Sequence, residues 1–174
     1  MSSLLVLGGA RSGKSSYAQQ YIEQTDGPLA YIATAQAQDA EMADRIARHR
    51  AERGPRWQTI EAPIDLPRAI AEAGQTYSGI MVDCLTLWLT NLLLAGHDLI
   101  EARRQLIGSV LSCHIPVALV ANEVGLGIVP DNPLARRFRD EAGWMNQALA
   151  KVVDQVTLVA AGLPISLKGP LTPT

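Results

Sequence analysis

Cysteine, phenylalanine and lysine are scarce in this chain: 174 residues hold two Cys, one Phe and, among 15 cationic side chains, three Lys. Cys84 and Cys113 stand at no metal-ligand spacing, and two thiols make no disulfide framework. Both read as buried structural residues in a reducing compartment. Aromatics are 5% of the chain, and Trp57, Trp88 and Trp144 read as packing residues rather than a platform for stacked bases. The net charge is −2, so no global basic field is present to hold nucleic acid. The arginine-rich cation set suits bidentate phosphate contacts, and genomic composition produces the same skew. Long apolar runs are missing too. The longest, residues 80–95, contains Asp83 and Asn91 and is too short to span a bilayer. Four apolar residues precede the first glycines, too few for a signal peptide. A cytoplasmic protein is expected, with no stable membrane insertion and no nucleic-acid partner. There is no internal repeat, no long linker, and no Asn-Lys-x-Asp or Thr-Lys-x-Asp stretch of the kind that reads guanine in GTPases.

What the chain does have is Gly8-Gly9-Ala10-Arg11-Ser12-Gly13-Lys14-Ser15. Gly, four residues, then Gly-Lys-Ser is the pattern of a phosphate-binding loop. An apolar run at residues 4–7 precedes it and a helical pattern follows, which is the strand–loop–helix context the motif requires. Gly8 and Gly13 let the backbone take positive φ and approach a polyanion without a Cβ in the way. Successive N–H groups then share one concavity, and the helix N-terminus adds partial positive charge. Lys14 reaches β and γ phosphates, and the Ser15 hydroxyl is placed to ligate Mg²⁺.

Strand patterns at residues 29–33, 79–83, 116–121 and 156–160 alternate with helical ones at residues 39–53, 65–73, 85–94, 98–112 and 132–153. Residues 57–61 read as a short extended segment and residues 165–168 as a short edge strand. Asp98 followed by Glu101 resembles a capping box. The fold expected is α/β: a P-loop NTPase-like (RecA-like), mainly parallel sheet with helices on both faces. Residues 1–168 form one nucleotide-binding domain in this reading, and residues 169–174 a frayed tail. Ligands of such sheets bind at the carboxyl ends of strands. Thr34, Asp83, Asn122 and Glu123 all follow strands, and so belong near the phosphate loop.

Three further positions have two readings each. Asp83 ends an apolar strand downstream of the loop, as the second Mg²⁺ anchor of such sites does; it also suits the N-cap of the following helix. Glu61 is either an exposed strand carboxylate or a partner for the arginines nearby. His49 reads first as a solvated side chain on an arginine-rich helix, and second as a nucleophile. In the second case Arg48, Arg50 and Arg53 would lower its pKa by like-charge repulsion and bind phosphates. His97 and His114 read as solvated. The residues alone leave ATP and GTP open.

Taken in order, these stretches resemble the bifunctional adenosylcobinamide kinase / adenosylcobinamide-phosphate guanylyltransferase family of cobalamin synthesis. The matching segments are GGARSGKS (8–15), YIATAQ (31–36), EMADRIARHR (41–50), WQTIE (57–61), DCLTLWLTNLL (83–93), NEVGLGIVP (122–130) and LARRFRDEAGWMNQALA (134–150). The resemblance implies two reactions: phosphorylation of the aminopropanol hydroxyl of adenosylcobinamide by ATP or GTP, then transfer of GMP from GTP to that phosphate. It implies that His49 carries the GMP, and that GTP is bound at residues 8–15 and at Thr34, Ala35, Gln36, Arg50, Ala51, Glu52, Arg53, Glu61 and Asp83. It also implies a trimer. Two rivals remain: another P-loop small-molecule kinase, and a nucleotide-switched binding or motor subunit.

Overall fold

The computed structural model describes residues 2–35 and 54–171. The predicted helix at residues 39–53 lies outside them. Seven strands form one sheet: β1 (Ser3–Gly8), β2 (Leu29–Ala33), β3 (Trp57–Glu61), β4 (Gly79–Asp83), β5 (Val117–Asn122), β6 (Gln155–Ala160) and β7 (Leu163–Lys168). Their order across the sheet is β3-β2-β4-β5-β1-β6-β7. All pairings are parallel except β6 with β7. Five helices are described: α1 (Lys14–Glu23), α2 (Leu66–Thr76), α3 (Leu85–Leu94), α4 (Leu99–Ser112) and α5 (Pro133–Val152).

The two-residue side-chain period of the strands divides the core in two. Leu5, Ala30, Ile32, Ile80, Val82, Val117, Leu119 and Ala121 face one cluster, which takes in side chains from α2 to α5. Leu4, Val6, Leu29, Tyr31, Ala33, Met81, Ala118 and Val120 face the other, with Tyr17, Ala18, Tyr21 and Ile22 of α1. Helices therefore cover both faces, as continuous apolar strands require.

Local chemistry sets the ends. Asn132 caps α5 by accepting from the Ala135 N–H at 2.7 Å, with Pro133 in the first turn. Arg56 donates to the carbonyls of Glu23 and Thr25, closing the carboxyl end of α1. The expected capping box on α4 is only half formed. Asp98 accepts from Ile100 and Glu101 N–H groups, but the Glu101 carboxylate pairs with Arg104 and Gln105 instead of returning to Asp98. Those bonds hold its pKa down to about 2. Trp88 is buried and donates to the Ile64 carbonyl, whereas Trp144, expected as a packing residue, is 53% exposed on α5. The extended segment at residues 57–61 is a full strand of the sheet, in parallel register with β2. The last strand begins earlier than residue 165 because it pairs antiparallel with β6 from Leu163 onward. Cys84 and Cys113 are buried free thiols, and burial, reinforced by the Asp83 charge, raises the Cys84 pKa. Among the described residues no helix is long and apolar enough to cross a membrane.

Candidate active site

The loop at residues 8–15 joins the carboxyl end of β1 to α1. Gly8 does not take the positive φ expected of it; glycine is needed there for space, since a Cβ would stand 2.4 Å from Ser12 Oγ and 2.6 Å from the Val159 carbonyl. Gly13 is left-handed (φ 94°), and Arg11 also has a positive φ of 56°. Such left-handed turns gather successive N–H groups on one side and make an anion-binding nest. Helix α1 starts at Lys14 without a side-chain cap. Its first N–H groups thus lack an intrahelical partner where a phosphate would sit.

Lys14 folds back over the loop, and its Nζ donates to the Gly9 carbonyl at 3.1 Å. The side chain is only 9% exposed, and no described carboxylate pairs with it. A buried cation held by a carbonyl dipole alone favours an incoming anion. The loop is tied down by two other segments and by one bond of its own. The Gly162 N–H donates to the Ser12 carbonyl at 2.8 Å, the Glu123 N–H to the Gly8 carbonyl at 3.0 Å, and the Ser12 N–H to the Gly9 carbonyl at 3.3 Å.

The register places the other acidic residues along the same edge. Ala33 of β2 pairs with Glu61 on one side and Asp83 on the other. Gly8 pairs with Asn122. The sequence order thus becomes a spatial row: Gly8, then the end of β5, then Asp83, Ala33 and Glu61. Asp83 is half-buried, and Cys84 rather than Asp83 stands at the N-cap position of the helix after it, with no side-chain cap bond. Of its two readings the N-cap is therefore removed. Ser15 is half-buried in the first turn of α1. A hydroxyl and a carboxylate are hard oxygen donors, which fits Mg²⁺ shared with phosphate oxygens. No cluster of three His, Cys, Asp or Glu side chains suited to a metal occurs among the described residues, so phosphates and waters would complete any such site.

Thr34 is fully buried and its hydroxyl is already engaged. It donates to the Cys84 carbonyl at 2.7 Å and accepts from the Cys84 N–H at 2.9 Å. It therefore fixes the backbone that follows Asp83. Asn91 extends the bracing by donating to the Thr34 and Pro63 carbonyls. Replacing Thr34 by Val leaves the buried Cys84 N–H unpaired, while the Cys84 carbonyl keeps the Trp88 N–H at 3.2 Å. Urea unfolding should show a stability loss of about 2 kcal/mol at unchanged m-value. Ala35 follows it, half-buried. Glu61 is exposed at the end of the outermost strand. Gln36, His49, Arg50, Ala51, Glu52 and Arg53 lie outside the described residues. One brace had no signal in the sequence: the buried Thr86 hydroxyl accepts from the Asn122 N–H at 2.7 Å. It joins the turn after Asp83 to the end of β5, and only the strand order brings them together.

A mainly parallel sheet with the phosphate-loop motif at the carboxyl end of an interior strand defines an α/β protein of the RecA-like P-loop fold. The solved structures agree. A KaiC-like protein of Pyrococcus horikoshii superposes with a TM-score of 0.53 over 90% of this chain and 70% of its own, at 14% identity. The flagellar accessory protein FlaH of Methanocaldococcus jannaschii gives 0.55 over 97% and 78%, at 11% identity. At such identities the likeness concerns the fold alone. Residues 4–167 match the family model described as cobinamide kinase / cobinamide phosphate guanyltransferase, and the chain belongs to that family. The bifunctional adenosylcobalamin biosynthesis protein CobP of Pseudomonas aeruginosa is 49% identical, over 95% of this chain and 96% of its own. CobU of Salmonella typhimurium, a protein of the same description, is 41% identical over 95% and 99%. The chain is thus a bifunctional kinase and guanylyltransferase of cobalamin biosynthesis.

Proposed function

We propose that one triphosphate cradle, residues 8–15, serves both reactions, and that His49 carries GMP between two half-reactions. The observation that supports this most is Lys14: a buried ammonium within a nest of backbone N–H groups, with no described anion beside it. Mg²⁺ held by Ser15 and Asp83 would neutralise phosphate charge and orient the chain of phosphates. In the kinase reaction the acceptor hydroxyl oxygen bonds to the γ-phosphorus and the β–γ bridge breaks, releasing nucleoside diphosphate. In the second reaction the neutral His49 imidazole attacks the α-phosphorus of GTP and pyrophosphate leaves. The phosphate of adenosylcobinamide phosphate then displaces GMP from His49, giving adenosylcobinamide-GDP.

Lys14 and the loop amides stabilise the negative charge that develops on the departing phosphates in both reactions. Thr34, Ala35, Gln36, Arg50, Ala51, Glu52, Arg53, Glu61 and Asp83 belong to the GTP site in this reading. The homotrimer and the cytoplasmic setting implied by the family likeness go with it. Intact-protein mass spectrometry is the test. Incubation with GTP should add one GMP-sized increment, and incubation with ATP none. An unchanged mass with GTP, in protein that turns over GTP and acceptor, would refute the covalent route.

A further inference from the structure

The three transfers differ in one chemical respect. The imidazole and the phosphate monoester attack through lone pairs that need not lose a proton. The kinase acceptor is a hydroxyl, far too weakly acidic to ionise in neutral water, and its proton must go to a base as the O–P bond forms. Three carboxylates lie at or just beyond the carboxyl ends of described strands: Glu61, Asp83 and Glu123. Neighbouring strands are about 4.8 Å apart. Glu61 ends β3, four strands from β1, and Asp83 ends β4, two strands away. Asp83 is also the residue assigned to Mg²⁺ above. Glu123 follows β5, the strand bonded directly to β1, and its own N–H holds the Gly8 carbonyl at 3.0 Å.

We propose that Glu123 is the general base of the kinase reaction. This rests on the reading that residues 8–15 hold the triphosphate. The Glu123 side chain is half-buried, and it accepts from the Gly125 N–H at 2.5 Å through Oε1. That bond keeps the carboxylate close to its own turn, while the backbone bond to Gly8 fixes the turn to the loop. The second oxygen, Oε2, has no hydrogen-bond partner among the described residues. It takes the hydroxyl proton as the acceptor oxygen bonds to the γ-phosphorus. The bridge to the β-phosphorus breaks with its electron pair on the departing diphosphate, and the carboxylic acid returns its proton to solvent. The same loop turns Leu126 (87% exposed), Ile128 (97%) and Val129 (64%) outward. A base beside an aliphatic surface suits an acceptor with a large apolar body.

The decisive comparison uses Glu123→Gln, which keeps the shape and removes the basicity. Kinase turnover with GTP and adenosylcobinamide should fall on the order of 10²–10⁴-fold. Self-guanylylation by GTP, and GMP transfer to preformed adenosylcobinamide phosphate, should stay within about threefold, since neither needs a proton removed. Glu123→Asp, which retains a carboxylate, should recover part of the kinase rate. Kinase activity within threefold of wild type in Glu123→Gln overturns the proposal. Equal loss of both activities also overturns it, because a structural role would do that. Absence of GMP labelling in the wild-type protein would instead fault the covalent reading and leave the Glu123 comparison standing.

Discussion

Replacing Lys14 by alanine should depress both reactions, each on the order of 10²–10³-fold in turnover. The expectation follows from the position of the ammonium rather than from the motif alone. In the free protein it is nearly buried and spends its charge on the Gly9 carbonyl. A triphosphate entering the nest offers it a better partner, and the departing phosphate of either reaction offers a better one still. Charge that develops in the transition state is where a preorganised cation counts most. Steady-state assays of the two reactions, each with its own acceptor, would measure the effect. A thermal melt adds a second reading. GTP should raise the melting temperature of the wild-type protein clearly more than that of Lys14→Ala, since stabilisation by a ligand follows its affinity. Guanylyl transfer at the wild-type rate in Lys14→Ala would place the GTP elsewhere.

The second large effect concerns His49. His49→Ala should lose guanylyl transfer by on the order of 10³-fold or more, as loss of a covalent nucleophile does. The kinase reaction should survive within about tenfold, because it needs positioning and charge stabilisation but no covalent carrier. Acid-labile label from α-labelled GTP should vanish with the side chain. The two activities therefore separate along opposite lines: His49→Ala keeps the kinase, Glu123→Gln keeps the transfer, and Lys14→Ala keeps neither. Label persisting on His49→Ala would move the carrier to another residue. Equal loss of both activities in folded protein would make His49 structural.

Much of this was legible from local sequence because the relevant signals are short. Four apolar residues before the glycines, five at residues 29–33 and the acid closing residues 79–83 each fix a strand and its end. The phosphate-loop pattern takes eight residues, and with them come the tight approach at Gly8 and the left-handed turn at Gly13. What was not legible depends on strand order. That β5 lies between β1 and β4 decides that Glu123 is a near neighbour of the loop and Glu61 a distant one; in the sequence one simply closes an extended segment and the other follows one. Thr34 reads as a ligand contact by position, yet its hydroxyl serves the Cys84 backbone 50 residues away. Glu101 has the spacing of a capping box, but Arg104 and Gln105, one turn on, compete for its carboxylate and win. Trp144 has an apolar side chain, yet it falls on the outward side of a helix whose buried positions are Ala142, Met145 and Leu149.

The turn between β6 and β7 has a consequence for how the protein comes into being. Gly162 bonds to the Ser12 carbonyl, and its Cα would lie 3.3 Å from a Cβ on Gly13. The glycine loop is thus walled off by a turn that comes much later in the chain. During synthesis residues 8–15 precede β6, so the sheet that flanks them is incomplete until that strand has been added on the far side of β1. A nascent chain carrying the whole loop is therefore still without a finished cradle. A chain that stops before this hairpin carries the loop's residues without the Gly162 bond that pins Ser12.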